Sequence, residues 1–152
     1  MPEFERDFIV RQVKQLAQAV ARIVAKAHDD GQYASGLEAL RTAMQAGVGK
    51  ELELLRRLDP ASASVLAHDP EVLDALAWIT AQESDLLSGT GDAASAQELR
   101  RRALALYAEC ARRFPDRATE CRRAARALAA RTDLTSLAEE HRRWLDGPSA
   151  DS

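Results

Sequence analysis

Aromatic residues are scarce in this chain, at 5% of the total, and only three His, two Cys and two Met supply reactive or soft side chains. That scarcity excludes whole classes of function. Cys110 and Cys121, with His28, His68 and His141 scattered around them, match no standard zinc spacing, so no metal site is expected. No Gly-rich phosphate loop, nucleophile motif or paired acid–base signature occurs. The expectation is therefore a non-enzyme, without catalytic residues or cofactor. Uncharged apolar runs fall far short of the roughly 18 residues of a membrane span, so no membrane association is expected. Residues 1–7 are acidic and lack an apolar secretory core, which makes a cytoplasmic location the expectation.

What the chain has in abundance is alanine, 30 of its 152 residues, together with Leu, Arg, Gln and Glu. These are the strongest helix formers, and β-branched residues are few, so the composition argues an all-α fold. At 46% apolar and 30% charged the chain is globular in character and long enough for a sizeable core. The net charge of −3 hides a segregation. Residues 58–99 hold eight Asp or Glu and no Lys or Arg, whereas residues 100–131 hold ten Arg against Glu109, Asp116 and Glu120. Such blocks either pair across neighbouring antiparallel helices or face a partner.

Helical spacing is clearest over residues 4–29, where Ile9, Val13, Leu16, Val20, Ile23 and Ala27 recur in alternating steps of four and three. Phe8, Ala17 and Val24 widen that stripe beyond a coiled-coil seam, which favours a core helix in which Leu16 and Val20 are fully buried. Gly31 ends it in a left-handed conformation. Further helices are predicted at 32–46, 50–58, 61–67, 70–88, 93–113 and 117–131. Asp59-Pro60 and Asp69-Pro70 supply a cap followed by a first-turn proline. The 117–131 helix, rich in Ala with Leu128 its one large apolar residue, is expected at the periphery. Asp133 or Thr135 is expected to cap a last helix reaching about Trp144. Cys110 and Cys121 flank the Phe114-Pro115-Asp116 turn and are expected to be small buried residues, with a disulfide left open. The three His are expected near helix ends, against final carbonyls.

Gly31-Gln32-Tyr33, then Gly36, Leu40 and Ala43, resembles the second half of a tetratricopeptide repeat, with Val20, Ile23, Val24 and Ala27 where the first helix of such a repeat packs. Gly91-Asp92, Ala96, Leu99 and Ala103, preceded by Ser84, resembles a second copy. Ala93 stands where the turn aromatic would be, Glu83 where a large apolar residue would be, and the copies lie 60 residues apart (Gly31 to Gly91) rather than about 34. The whole chain also resembles a family of short bacterial helical proteins of unknown function. Arg6-Asp7-Phe8-Ile9, the Gly-x-Tyr-x-x-x-Leu of 31–37 and the Arg-Ala-Leu-x-Leu-Tyr of 102–107 carry that likeness.

Together these readings predict seven or eight helices in one bundle-like domain over 1–146, with a disordered tail at 147–152. Two tetratricopeptide-like hairpins, turned at Gly31 and Gly91, enclose inserted helices. The expected function is a non-enzymatic interaction module for a protein or peptide, through a groove between the first helices of the hairpins. Two further readings stay open. One is a homodimer through helix 4–29. The other is a polyanion or nucleic-acid binder through the Arg-rich segment 100–131, which the scarcity of interleaved aromatics disfavours for single strands. Candidate interaction residues are Trp78, Arg100, Arg101, Arg112 and Arg113. Glu83, an acid on an apolar face, is expected to pair with an Arg of helix 93–113.

Overall fold

A computed structural model describes residues 3–147, with side chains described from Arg6 onward. The expected tail thus lies outside the described residues except for Gly147. Among the described residues the chain forms eight α-helices and no strand: α1 (Glu3–Asp30), α2 (Tyr33–Ala43), α3 (Val48–Arg56), α4 (Pro60–Ala67), α5 (Pro70–Gly89), α6 (Ala93–Arg113), α7 (Ala118–Ala129) and α8 (Glu139–Asp146). A 3₁₀ turn at Pro115–Arg117 separates α6 from α7. One contiguous hydrophobic core runs from Val13 to Leu145.

Local chemistry sets the element boundaries. Gly31 and Gly91 take φ of +66° and +94°, where a Cβ would be penalised. Beyond each, an amide turns back to the preceding helix: Gln32 N–H to Ala27 C=O at 3.1 Å, and Asp92 N–H to Leu87 C=O at 3.2 Å. Asp59, Asp69 and Asp92 cap α4, α5 and α6, accepting from the amides of Ser62, Glu71 and Ser95. Hydrogen bonds from the Ser62 hydroxyl and amide hold the Asp59 carboxyl below its usual range.

α5 is the hub, touching α1, α2, α3, α4 and α6. It is buried on most of its circumference, so Thr80 and Ser84 direct their hydroxyls to the carbonyls of Leu76 and Ala81 within their own helix. Its most extensive partner is α6, and α7 then packs on α6 through Cys121, Ala125 and Leu128. Small residues permit close packing within the first hairpin and between the two. A side chain at Gly36 would come within 2.7 Å of the Ala27 Cβ, and one at Gly89 would collide with the Tyr33 ring.

Three local expectations change. Leu16 is half-buried and packs at the margin of the core, because the α1 stripe turns inward through Val13, Val20, Val24 and Ala27. α3 begins at Val48, launched by Gly47 at φ +56°, and ends at Arg56. The last helix starts only at Glu139. Asp133 spends its carboxylate on the amide (3.0 Å) and hydroxyl (2.6 Å) of Thr135, closing a local turn that competes with helix.

Candidate functional site

An apolar groove of about 470 Å³ lies between the N-terminal half of α1, α3, α4 and the first turn of α5. Ile9 and Val10 form one wall, Leu54, Leu55 and Leu58 the second, and Leu66 with Val72 the third. The expected groove between the first helices of the two hairpins is displaced, since α1 and α5 pack directly on each other. Capped Asp-Pro starts at 59–60 and 69–70 orient α4 and α5, while Gly47 turns α3 back toward α1. His68 ends α4 at φ +58°, an unusual conformation for a side chain with a Cβ, and lies on the groove rim.

Exposed apolar side chains include two of the groove's lining residues, Leu54 and Leu66. Phe8, Leu54, Val65 and Leu66 are 50–62% exposed, and they are the large hydrophobics so exposed among the described residues. All four sit on α1, α3 or α4, the helices that border the groove. Polar character at the rim comes from the exposed Glu51, His68 and an ion pair between Arg6 Nε and Asp69 Oδ2 at 2.6 Å.

The candidate arginines do not form one patch. Arg100 is buried, facing Asp85 at 3.8 Å and the Arg131 carbonyl at 3.4 Å. Arg101 donates to the Asp133 carbonyl at 3.2 Å. Arg112 grips Glu109, and Arg113 lies over the Phe114 ring at 5.9 Å. Twelve residues of α6 separate Arg100 from Arg112, about 18 Å along the helix. Much of the basic block instead closes helix ends. Arg102 donates to the carbonyls of Arg56 and Leu58 at the end of α3, and Arg126 to those of Leu145 and Gly147 at the end of α8. Burial, followed by the nearby Arg56 charge, lowers the Arg102 pKa.

Acidic and basic blocks do meet at Asp85–Arg131 (2.5 Å), Asp85–Arg100 and Glu71–Arg117. Glu83 departs from expectation. Its carboxylate, 2% exposed, accepts from Arg56 at 2.7 Å and Arg41 at 3.4 Å, on α3 and α2 rather than α6. On α6, Arg100 faces Asp85 and Arg102 the end of α3. Trp78 is half-buried and packed against the core.

Cys110 and Cys121 are buried free thiols that interact across the α6–α7 junction. The hydrogen bond with Cys121, then burial, pushes the Cys110 thiol up, away from thiolate reactivity. Beside them, burial raises Asp74, with Glu120 adding to the effect, and burial and Asp74 raise Tyr107. His28 meets Tyr33 at 3.3 Å, and His141 lies in the first turn of α8 facing Glu109, so neither bonds final carbonyls there.

The groove residues escaped the sequence reading, although a signal exists. Leu52, Leu54 and Leu55 on α3 and Leu58 just after it are apolar on more sides than one neighbour buries. No helix among the described residues is long and apolar enough to cross a membrane. No protein-family description, curated protein or solved structure matches the chain.

Proposed function

We propose that this protein is a non-enzymatic interaction module whose α1/α3/α4 groove receives the apolar face of an amphipathic helix from a partner protein. The observation that carries this reading is an aliphatic cavity lined in part by Leu54 and Leu66, both more than half exposed, with Phe8 and Val65 exposed on the same bordering helices. Exposed apolar side chains in one contiguous region mark interaction surfaces more often than chance. A small molecule filling the cavity would leave these projecting side chains wet. A helix laid along the groove would place residues at i, i+3/i+4 and i+7 in it and cover the rim as well.

A second reading is favoured by Phe8 alone. It is 53% exposed and adjoins the groove-lining Ile9, so a two-fold pairing would offer the Phe8 of each copy to the groove of the other. The regular α1 stripe is not available for this, because Val13, Val20, Val24 and Ala27 face the protein's own core. The polyanion reading weakens, with Arg100, Arg102 and Arg126 turned to internal partners.

The test is a photo-crosslinking amino acid placed at Leu54 and, as a control, at Arg123 on α7, with mapping of the captured segment. Capture at Leu54 alone, on a segment with apolar residues at helical spacing, is expected. Capture of the protein's own chain at Leu54 favours the two-fold pairing. Capture only at Arg123 overturns the groove reading.

A further inference from the structure

Away from the groove, α6 and α8 converge on three ligand-type atoms. Glu109 on α6 is 5% exposed, and a carboxylate so placed needs partners. Arg112, three residues on in the same helix, holds Oε2 through Nε at 2.9 Å and Nη2 at 2.6 Å. Oε1 is left facing α8, where Nε2 of His141 lies 3.3 Å away. Oε1 of Glu140 stands 3.6 Å from that same nitrogen. All three atoms lie within 4.8 Å of one another.

A simple ion-pair reading fits these distances poorly. A ring N–H serves one acceptor well, yet two carboxylate oxygens face this one nitrogen. Both spacings exceed the roughly 2.7–2.9 Å of charge-assisted N–H···O bonds. They do match another geometry. An ion held tetrahedrally at about 2.0–2.2 Å by imidazole and carboxylate has ligand–ligand edges of about 3.3–3.6 Å. The same three residues border a cavity of about 320 Å³, so a fourth coordination position would open onto free space. Arg112 would then act as the outer hydrogen-bond donor that fixes a ligating carboxylate.

We propose that Glu109, Glu140 and His141 form a site for one divalent transition ion of the zinc class, which would pin α8 to α6. His plus two carboxylates suits zinc better than calcium or magnesium, which prefer all-oxygen shells. The ligands come from two helices far apart in sequence, so no local spacing motif announces them. The site is independent of the groove.

Zinc alone, titrated into the full chain by calorimetry at neutral pH, is the test, with Co²⁺ replacing it for visible d–d absorption. One ion per chain, a tetrahedral Co²⁺ spectrum and a raised melting temperature are expected. Affinity should fall as pH drops, because metal ligands must shed their protons to bind. Glu140 is 74% exposed, so Glu140→Gln leaves the fold intact and should weaken binding at least tenfold. His141→Gln should abolish it, with circular dichroism checking the fold of both variants. Failure of the wild type to bind zinc overturns the proposal, as does unchanged affinity in Glu140→Gln. So does unchanged affinity in His141→Gln, which would place the ion at other His residues or at the thiols.

Discussion

Glu83→Gln should destabilise the protein by about 2 kcal/mol. Glu83 joins α5 to both α2 and α3, and its carboxylate is 2% exposed. Arg56, its closer partner at 2.7 Å, is 16% exposed, whereas Arg41 is 52% exposed at 3.4 Å and contributes little. Gln keeps an oxygen acceptor for the Arg56 guanidinium but removes the opposing charge, so the loss should fall below the roughly 3–5 kcal/mol of breaking a buried pair outright. Arg56 would not be orphaned, because Glu53 holds its other nitrogen at 3.0 Å. Glu83→Ala removes the acceptor as well and leaves a void, which raises the expected loss to about 3–5 kcal/mol. For a chain near 150 residues each kcal/mol shifts the melting temperature by roughly 2–4 °C, so Gln should cost about 4–8 °C. Calorimetric scans at low and high salt provide the assay, and the loss should persist in high salt because a buried pair is poorly screened. A Glu83→Gln melting temperature within about 1 °C of wild type would show that the Glu83–Arg56 contact does not hold α5 to α3.

Gly89→Ala should lower stability by about 1–3 kcal/mol, since its Cβ would meet the Tyr33 ring, and Tyr33→Ala in the same chain should relieve most of that loss in a double-mutant cycle. Gly31→Val should cost on the order of 1–2 kcal/mol, because Gly31 sits at φ +66°, and an unchanged thermal melt would refute the strain. Asp74 has a folded-state pKa raised mainly by burial, so its ionised form weakens the fold and its protonation strengthens it. Asp74→Asn should therefore be more stable than wild type at neutral pH, with the advantage shrinking as pH falls through the raised pKa toward about 4. Parallel urea titrations across pH check this, and a pH-independent difference would contradict it.

The helices were legible where punctuation and periodicity agree. Asp-Pro at 59–60 and 69–70, Gly31 and Gly91 mark ends that geometry requires, and the eight helices follow them closely. Boundaries failed where a side chain had a competing local use, as at Asp133, whose turn with Thr135 delays α8 to Glu139. Burial along α1 was legible as a stripe but not residue by residue, because Leu16 depends on how far neighbouring helices extend. Charge partners were the least legible. Glu83 and Arg56 lie 27 positions apart and meet only because α3 folds back across α5. The groove was hidden for the same reason: Leu54 and Leu66 come to line one groove through the α3–α4 turn, and only the crowding of leucines over 52–58 hints at it in sequence.

The docking role of the groove rests finally on affinity for a helix. The segment captured by the Leu54 crosslinker, made as a peptide, should be titrated against wild type and against Leu54→Glu with Leu66→Glu. Both leucines are more than half exposed, so the double variant should keep its fold. A charge buried at each site should weaken binding on the order of tenfold apiece, with a negative heat-capacity change for the wild type. Equal affinity for wild type and the double variant would contradict a docking role for this groove.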